Sequence, residues 1–370
     1  MSRPPFTFYE FFAGGGMARL GLGAGWRCLF ANDFDAAKAA TYRANFGAGD
    51  LYEGDVWNLA AADLPGEAAL AWASSPCQDV SLAGGRAGLA GGRSSAFFGF
   101  WRLMEALASE GRAPRVVAIE NVTGLLTSHG GADIAAVARA LAGAGYRFGV
   151  LEIDAAAFLP QSRRRIVIVG VRGEVAALAS APPTRAVATA RERLPADVRR
   201  TWLDLPAPPT LARNTDLAAI LEPDAAVAWR SADETRRLLS LMDAVNRAKV
   251  TAAQAAGERR VGAVFRRVRA GGQRAEVRFD GLAGCLRTPR GGSSRQSIIV
   301  VEGAAVRSRL ITPREAARLM GLPDSYRLPA RATAALQVAG DGVAVPVVDW
   351  LARTVIEPLL AAPPGARAAA

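Results

Sequence analysis

The sequence predicts an α/β protein: a doubly wound, mainly parallel sheet with a second, smaller domain. Short apolar runs alternate with helical patterns as far as about Gly173, and a glycine-rich turn follows the first run. Beyond Gly173 the alternation stops and the chain becomes rich in Arg and Pro. Nearly continuous apolar strands that alternate with helices are typical of a parallel sheet covered on both faces.

The elements of the first domain follow from this alternation in order. Short runs of apolar, β-branched and aromatic residues predict strands at Thr7–Phe12, Arg27–Ala31, Ala69–Ser74, Val116–Ile119, Phe148–Ile153 and Ile166–Val171. Helical spacing predicts helices from the glycine turn to about Gly23, and over Phe34–Phe46, Ala96–Ala108 and Ala132–Ala144.

The middle of the chain has a different composition. Proline pairs interrupt a polar, Arg-rich region that extends to about Val301, in which we expect helices from Leu217–Ile220 onward and over Thr235–Lys249. Thr312 can then act as the N-cap of a helix in which Pro313 takes the first position. Val343–Leu360 is predicted to form a final apolar helix. We therefore expect domains at residues 1–180, 181–305 and 306–370.

Composition narrows the class of protein. The chain has 370 residues, of which 51% are hydrophobic, so it can bury a full-sized core. Its net charge of +11 is expected of a protein that binds polyanions, although Arg richness is also typical of a GC-rich genome. No apolar run approaches the roughly 20 residues that span a bilayer, and the start lacks the pattern of a signal peptide.

Cysteine and histidine usage excludes further classes. Cys28, Cys77 and Cys285 are widely spaced and odd in number, so they indicate neither a disulfide framework nor a zinc site. His129 is the only histidine, which argues against histidine-based triads and metal centres. We expect a cytoplasmic protein without a metal.

The turn after the first strand predicts a nucleotide-like cofactor. Phe12 precedes Ala13–Gly16, where glycines such as Gly14 and Gly16 allow a ligand close to the backbone. Asp33 follows the second strand, where a carboxylate can hold ribose hydroxyls, and Phe34 beside it could stack on an adenine. Asp55 could accept from an adenine amino group. A tight turn that serves packing alone is the alternative.

Cys77 is the candidate nucleophile. Ser75-Pro76-Cys77-Gln78 follows a buried strand and precedes a loop rich in Gly and Arg, so its thiol would lie at the mouth of the sheet. The alternative is a small buried hydrophobic residue, which is the usual environment of a free cysteine.

Two further motifs place polar groups at strand ends. Glu120-Asn121-Val122 closes the strand that begins at Val116, and a carboxylate there faces the ligand crevice. In Gln161-x-Arg163-x-Arg165, alternation in extended backbone sends both arginines to the same side. Their guanidinium groups suit a phosphate or a base carbonyl. A helix-capping glutamate and a solvated basic turn are the alternatives.

These motifs together resemble the DNA (cytosine-5) methyltransferase family, in family order and at comparable spacing. The resemblance runs from Phe12 to Val348 and rests on six segments: Phe12–Gly16, Pro76–Gln78, Glu120–Val122, Gln161–Arg165, Arg309–Pro323 and Gly340–Pro346. It implies a Rossmann-like sheet that binds S-adenosyl-L-methionine and a target-recognition domain in the middle of the chain. The last segment has Asp341 where the family usually has Asn, and Phe34 stands where Trp is common.

The resemblance assigns roles to residues. It implies that Cys77 attacks C6 of a flipped-out cytosine, that Glu120 assists at N3 and the exocyclic amine, and that Arg165 with Arg163 neutralises charge near O2. The implied cofactor contacts are Phe12, Gly14, Gly16, Asp33, Phe34, Asp55, Val56, Pro76, Asp341, Gly342 and Val343. The expected DNA contacts are Gln78, Ser81, Arg86, Arg93, Arg266, Arg267, Arg269, Arg287, Arg290 and Arg295.

The resemblance leaves three functional readings. The first is methylation of a specific double-stranded DNA sequence by a monomer in the bacterial cytoplasm and nucleoid, with a cognate restriction endonuclease as a possible companion. The second is methylation of tRNA cytosine, since one family branch carries the same motifs. The third is a catalytically silent DNA-binding relative. The large Arg-rich middle region favours duplex DNA over tRNA, and intact Cys77, Glu120 and Arg165 favour an active enzyme.

Overall fold

The chain folds into two units. The computed structural model describes residues 6–75, 96–175, 178–269, 272–287 and 295–361. Unit 1 comprises Met1–Ile153, Arg164–Pro209 and Val343–Ala370, and unit 2 comprises Asp154–Arg163 and Thr210–Gly342. The functional domains expected at residues 1–180, 181–305 and 306–370 stay a prediction.

Unit 1 is built on a seven-stranded sheet. Its strands are β1 (Phe6–Phe11), β2 (Trp26–Asp33), β3 (Leu51–Glu53), β4 (Leu70–Ala73), β5 (Val116–Val122), β6 (Tyr146–Asp154) and β7 (Arg164–Arg172). They lie in the order β3-β2-β1-β4-β5-β7-β6. The pairs β1–β2, β2–β3, β1–β4 and β4–β5 are parallel, and β5–β7 is antiparallel. The predicted α/β class with a doubly wound, mainly parallel sheet is confirmed.

Strand order locates the ligand crevice of unit 1. From β1 the chain proceeds to β2 and β3 on one side, and then returns to β4 and β5 on the other. The sheet therefore has a topological switch point between β1 and β4. In such sheets ligands bind outside the carboxyl ends of the strands at this point.

The described residues of unit 1 up to Pro209 form six α-helices. They are α1 (Met17–Leu22), α2 (Ala36–Phe46), α3 (Ala96–Ser109), α4 (Ala132–Gly143), α5 (Arg185–Arg193) and α6 (Ala196–Arg199). Asp35 caps α2, because its carboxylate accepts the backbone N–H groups of Ala37 at 2.9 Å and Lys38 at 3.0 Å. Helix α3 buries Phe97, Phe100 and other apolar side chains in the same core as β4 and β5.

Unit 2 contains a four-stranded antiparallel sheet. Its strands are β8 (Arg260–Arg269), β9 (Gly272–Arg278), β10 (Ser297–Glu302) and β11 (Ala305–Leu310), in the order β11-β10-β8-β9. Its helices are α7 (Ala232–Ser240), α8 (Ala244–Ala255), α9 (Pro313–Arg318) and α10 (Ala332–Asp341). Leu238 and Val250 of the helices share a core with Val264 and Ile299 of the sheet.

Two helix predictions in unit 2 are wrong in extent. The helix expected over Thr235–Lys249 is broken between α7 and α8, because the Asp243 carboxylate accepts the N–H of Asn246 at 2.8 Å and starts a new helix. The helix expected from Leu217 is a single 3-10 turn, Ala218–Ile220, which ends where Leu221 becomes extended.

The end of the chain returns to unit 1 as α11 (Val345–Leu351) and α12 (Glu357–Ala361), joined by a π-helical segment, Ala352–Ile356. The single helix expected over Val343–Leu360 therefore starts two residues later and contains this wider turn. Helix α11 packs on α1 so closely that a Cβ on Gly21 would lie 2.5 Å from Cβ of Val348. Among the described residues, no helix is long and apolar enough to cross a membrane.

Candidate active site

The turn between β1 and α1 is held in an unusual backbone conformation. Phe12, Gly14 and Gly16 have φ values of 58°, 58° and 78°, which place them in the left-handed region that disfavours residues other than glycine. A Cβ on Gly16 would clash with the Phe46 ring, whereas a Cβ on Gly14 would meet nothing within 4 Å. Gly16 therefore serves packing, and Gly14 leaves open space beside the backbone.

Asp33 ties this turn to the end of β2. Its Oδ2 accepts the N–H of Gly14 at 2.7 Å and its Oδ1 accepts the N–H of Asp35 at 2.9 Å. The side chain is buried, and burial raises its pKa against the lowering effect of these N–H groups. Asp33 thus holds the backbone of Gly14 in place, and its role as a ribose acceptor stays a prediction.

Further predicted cofactor residues of unit 1 follow β2 and β3. Phe34 is 71% exposed, which is unusual for so large an apolar side chain. The side chain of Asn32 donates to the carbonyl oxygen of Gly54 at 2.8 Å, which brings Asp55 to the end of β2. The Asp55 carboxylate accepts the N–H of Trp57 at 3.0 Å and caps the 3-10 turn Val56–Asn58.

Glu120 and Arg165 form an ion pair at the ends of β5 and β7. The register pairs Val122 with Arg165, so Arg165 lies diagonally across from Glu120 on the same face of the sheet. Nε of Arg165 is 3.2 Å from Oε1 of Glu120. The carboxylate side chain is 12% exposed and the guanidinium side chain 21% exposed. Two predicted catalytic residues are therefore in contact in a largely water-excluded place.

Asn121 connects this pair to the segment that precedes Cys77. The Asn121 side chain is buried, and its amide donates to the Ser75 carbonyl oxygen at 3.2 Å and to the Ser75 Oγ at 3.3 Å. Its own Oδ1 accepts the N–H of Val122 at 2.8 Å. Sequence reasoning gave Asn121 and Ser75 no role. Their position inside the Glu120 and Cys77 motifs was the only available signal.

Arg163 and Gln161 belong to unit 2, where their side chains bind backbone. The guanidinium of Arg163 is buried and donates to the carbonyl oxygens of Leu286 at 3.2 Å, Gly340 at 3.1 Å and Gly342 at 2.8 Å. Gln161 is also buried; it donates to the Leu319 carbonyl oxygen at 2.7 Å and accepts the Leu286 N–H at 3.0 Å. These contacts fix the ends of several segments of unit 2. A role of Arg163 at a base stays a prediction.

The remaining predicted cofactor residues lie near the unit boundary. Asp341 is the exposed last residue of α10 and Gly342 is its C-cap, both in unit 2. Val343 is buried and belongs to unit 1. Their contacts with a cofactor stay predictions.

Several predicted residues lie outside the described ranges: Pro76, Cys77, Gln78, Ser81, Arg86, Arg93 and Arg290. The other expected DNA contacts are in unit 2. Arg267 is exposed and lies near Glu276, with Nε 3.6 Å from its Oε2. Arg269 ends β8 and Arg287 is exposed. Arg266 and Arg295 are half-buried.

Comparisons with known proteins agree with this architecture. The family model of C-5 cytosine-specific DNA methylases matches residues 6–357. Type II methyltransferase M.NlaX of Neisseria lactamica is 29% identical over 94% of this chain and 95% of its own length. Type II methyltransferase M.HhaI of Haemophilus parahaemolyticus is 26% identical over 93% of this chain and 92% of its own length. The crystal structure of the S. pombe Dnmt2 methyltransferase superposes with a TM-score of 0.61 at 18% identity, over 96% of this chain and 99% of that one.

Proposed function

The chain belongs to the C-5 cytosine-specific DNA methylase family and is a DNA methyltransferase, and on that premise we propose that it methylates C5 of a cytosine within a specific duplex sequence. The ion pair between Glu120 and Arg165 carries this proposal. A carboxyl group near the carboxyl end of β5 and a guanidinium at the amino end of the antiparallel β7 are held together at one edge of the sheet. Together they suit a pyrimidine, which offers both N3 and O2 to polar groups.

The residues of unit 1 fit S-adenosyl-L-methionine. The open space at Gly14, the exposed ring of Phe34 and the carboxylates of Asp33 and Asp55 lie at the ends of β1, β2 and β3. Because Gly14 has no side chain, the cofactor would approach the protein backbone closely there. The ring of Phe34 would cover the adenine of the cofactor. When bound, S-adenosyl-L-methionine supplies an electrophilic methyl group.

Cys77 provides the activation that this reaction needs, because C5 of cytosine is a weak nucleophile. The Cys77 thiolate adds to C6, and the electron pair of the C5–C6 double bond moves toward N3, which raises the nucleophilicity of C5. Glu120 hydrogen-bonds or protonates N3, and Arg165 neutralises charge near O2. After C5 has taken the methyl group, Glu120 recovers any proton that it gave to N3, a base takes the C5 proton, the C6–S bond breaks and the C5–C6 double bond re-forms.

Access to C6 requires that the cytosine leave the duplex. Neither face of a stacked base is open to a thiolate, so we expect the target to be extruded into the crevice of unit 1. The type II names of the relatives indicate restriction–modification, and a cognate endonuclease acting on the same sequence is part of this proposal.

Bisulfite sequencing of DNA from cells that express the protein tests the proposal. We expect 5-methylcytosine at one recurring sequence, and none in cells that express Cys77→Ala. A duplex with 5-fluorocytosine at that position should form a denaturation-resistant adduct with the wild type only. Methyl incorporation into tRNA but into no duplex, or a fully active Cys77→Ala variant, would contradict the proposal.

A further inference from the structure

Three arginines of unit 2 come together at one end of its sheet. Arg230 precedes α7, Arg266 lies in β8, and Arg295 lies just before β10. We call them the arginine cluster. All three are half-buried, and sequence reasoning gave Arg230 no role.

The strand register explains why two of them meet. The last pair between β8 and β10 is Val264 with Ser297. Arg295 lies two residues before the start of β10, and continuing the register by two residues from this pair would set it opposite Arg266, on the same face as Val264. Val264 belongs to the core under α7 and α8. The two arginines therefore lie on the same face of the sheet as the core under α7 and α8, just beyond Val264 and Ser297.

Arg230 reaches the same face from the other side of β10. Its N–H donates to the Ser308 carbonyl oxygen at 2.9 Å, and its Nη1 donates to the Ser308 Oγ at 3.4 Å. Ser308 pairs with Ile299, which points into the core under the helices. Burial, followed by the charge of Arg266, lowers the pKa of Arg230; the charge of Glu234 opposes this effect, and that of Arg295 adds to it. The three cations are thus close enough to repel one another.

No carboxylate among the described residues forms an ion pair with the cluster. Other arginines of unit 2 do have such partners, as Arg309 has Glu315 and Arg318 has Asp324. The nearest acids are already engaged. Glu234 accepts the N–H of Ser231 at 2.8 Å, and Glu315 binds Arg309 through both oxygens. Glu234 and Glu315 thus offset the charge of the cluster only partly and without direct contact, and the three cations keep a net positive charge that a ligand can neutralise.

We propose that the arginine cluster binds a phosphate of the DNA backbone and fixes the position of the duplex on unit 2. This inference rests on the proposed function. Guanidinium groups match the oxygens of a phosphate, and contacts to phosphates set register without reading sequence. Half-buried side chains that are partly bound to Ser308 and Ile311 are poorly placed to reach base edges in a groove.

Salt dependence of duplex binding tests the inference. Arg230→Gln and Arg266→Gln should each lower affinity about tenfold at low salt and should reduce the slope of log K against log[salt] by about one. The loss should be equal for the methylated sequence and a scrambled duplex. Arg266→Lys should retain most of the slope, because it keeps the charge.

Arg236→Gln is the matched control. It removes one positive charge from the same unit, but Arg236 is exposed and paired with Asp233. Its slope should equal that of the wild type. Circular dichroism and thermal unfolding verify that each variant is folded, so an unchanged slope in folded Arg230→Gln and Arg266→Gln overturns the inference.

Other ligands give different results. Loss confined to the methylated sequence would mean base reading, and loss confined to tRNA would mean an RNA ligand; either overturns the inference. If inorganic phosphate raises the wild-type Tm more than chloride at equal ionic strength, while the duplex slopes of the variants stay unchanged, the cluster binds free phosphate instead. A wild type that binds duplex but methylates none refutes the proposed function and leaves the slope test valid.

Discussion

At the scale of single residues, the ion pair of Glu120 and Arg165 is the strongest chemical feature of unit 1. Each side chain limits the other's freedom, and each is less than one quarter exposed. Arg165 also donates from Nη1 to the Arg164 carbonyl oxygen at 2.8 Å. Groups that are fixed before the substrate arrives need little reorganisation during the reaction, so they stabilise developing charge effectively.

Replacing Glu120 by Gln should slow the chemical step. The amide keeps the size of the side chain but cannot supply a proton to N3 and loses its charge toward Arg165. We expect kcat to fall by a factor of about 100 to 10,000, with the dissociation constant for S-adenosyl-L-methionine nearly unchanged. Single-turnover methylation and calorimetric titration measure the two quantities.

Glu152→Gln provides the control for this variant. Glu152 lies in β6 of the same sheet, and its carboxylate accepts from Oγ1 of Thr184 at 2.6 Å. The Glu152→Gln variant should methylate DNA at the wild-type rate. A large loss of cofactor affinity in Glu120→Gln would instead assign Glu120 to the cofactor site.

Sequence reasoning could find Glu120 and Arg165 because short motifs at strand ends carry them. It could not find the bond between Asn121 and Ser75, since the two residues meet only through the pairing of β4 and β5. Periodicity also cannot show that Arg163 is enclosed by backbone carbonyl oxygens. Alternation along one strand says which side a residue takes, but not what covers that side.

At the scale of elements, a buried ion pair joins β11 to α9. Arg309 and Glu315 are 1% and 0% exposed, and the guanidinium binds both carboxylate oxygens, at 2.7 Å and 2.6 Å. The same carboxylate accepts the N–H groups of Thr312 at 3.0 Å and Glu222 at 2.9 Å. Thr312 caps α9 with Pro313 in its first turn, as the sequence predicted.

Breaking this pair from one side should be costly. Arg309→Met leaves the Glu315 carboxylate buried without its cation, so we expect the free energy of unfolding to fall by about 3 to 5 kcal/mol. Urea denaturation measures it. The exposed pair of Arg236 and Asp233 is the control, and Arg236→Gln should cost about 1 kcal/mol or less. Equal losses in the two variants would contradict the prediction.

The sequence predicted element types better than element ends. Six of the seven strands described in the sheet of unit 1 were predicted, because each is a short apolar run; β3, which has three residues, was not among them. The strand predicted at Arg27–Ala31 extends over Trp26–Asp33. The break between α7 and α8 was missed because apolar spacing continues across it, while the Asp243 cap that causes it is a local hydrogen bond. The π-helical segment after α11 likewise leaves no mark on the apolar pattern.

At the scale of the whole molecule, one buried acid of unit 1 should make the free energy of unfolding depend on pH. Glu10 lies in β1 and is 1% exposed. Its Oε1 accepts the N–H of Arg19 at 3.3 Å, whereas Oε2 has no hydrogen-bond partner among the described residues. Burial, only partly offset by the N–H and charge of Arg19, raises the pKa of Glu10 to about 8.

The sign of the effect follows from proton binding. Between the ordinary value of 4.5 and about 8, the unfolded chain has lost this proton and the folded chain keeps it. The contribution of Glu10 to the free energy of unfolding is therefore greatest below pH 4.5. It falls as the pH rises and levels off above pH 8. At about 1.4 kcal/mol for each pKa unit, the loss across this range is on the order of 5 kcal/mol.

Glu10→Gln should remove this pH dependence, because glutamine does not titrate. We expect the free energy of unfolding of the variant, minus that of the wild type, to grow between pH 5 and pH 8 by several kcal/mol, on the order of the linkage above. Urea denaturation at several pH values measures the difference, in which titrations common to both proteins cancel. Glu67→Gln, at an exposed site of the same unit, should give a difference that is flat with pH. A flat difference for Glu10→Gln as well would mean that Glu10 is already ionised in the folded protein, and that a cation or water offsets its burial.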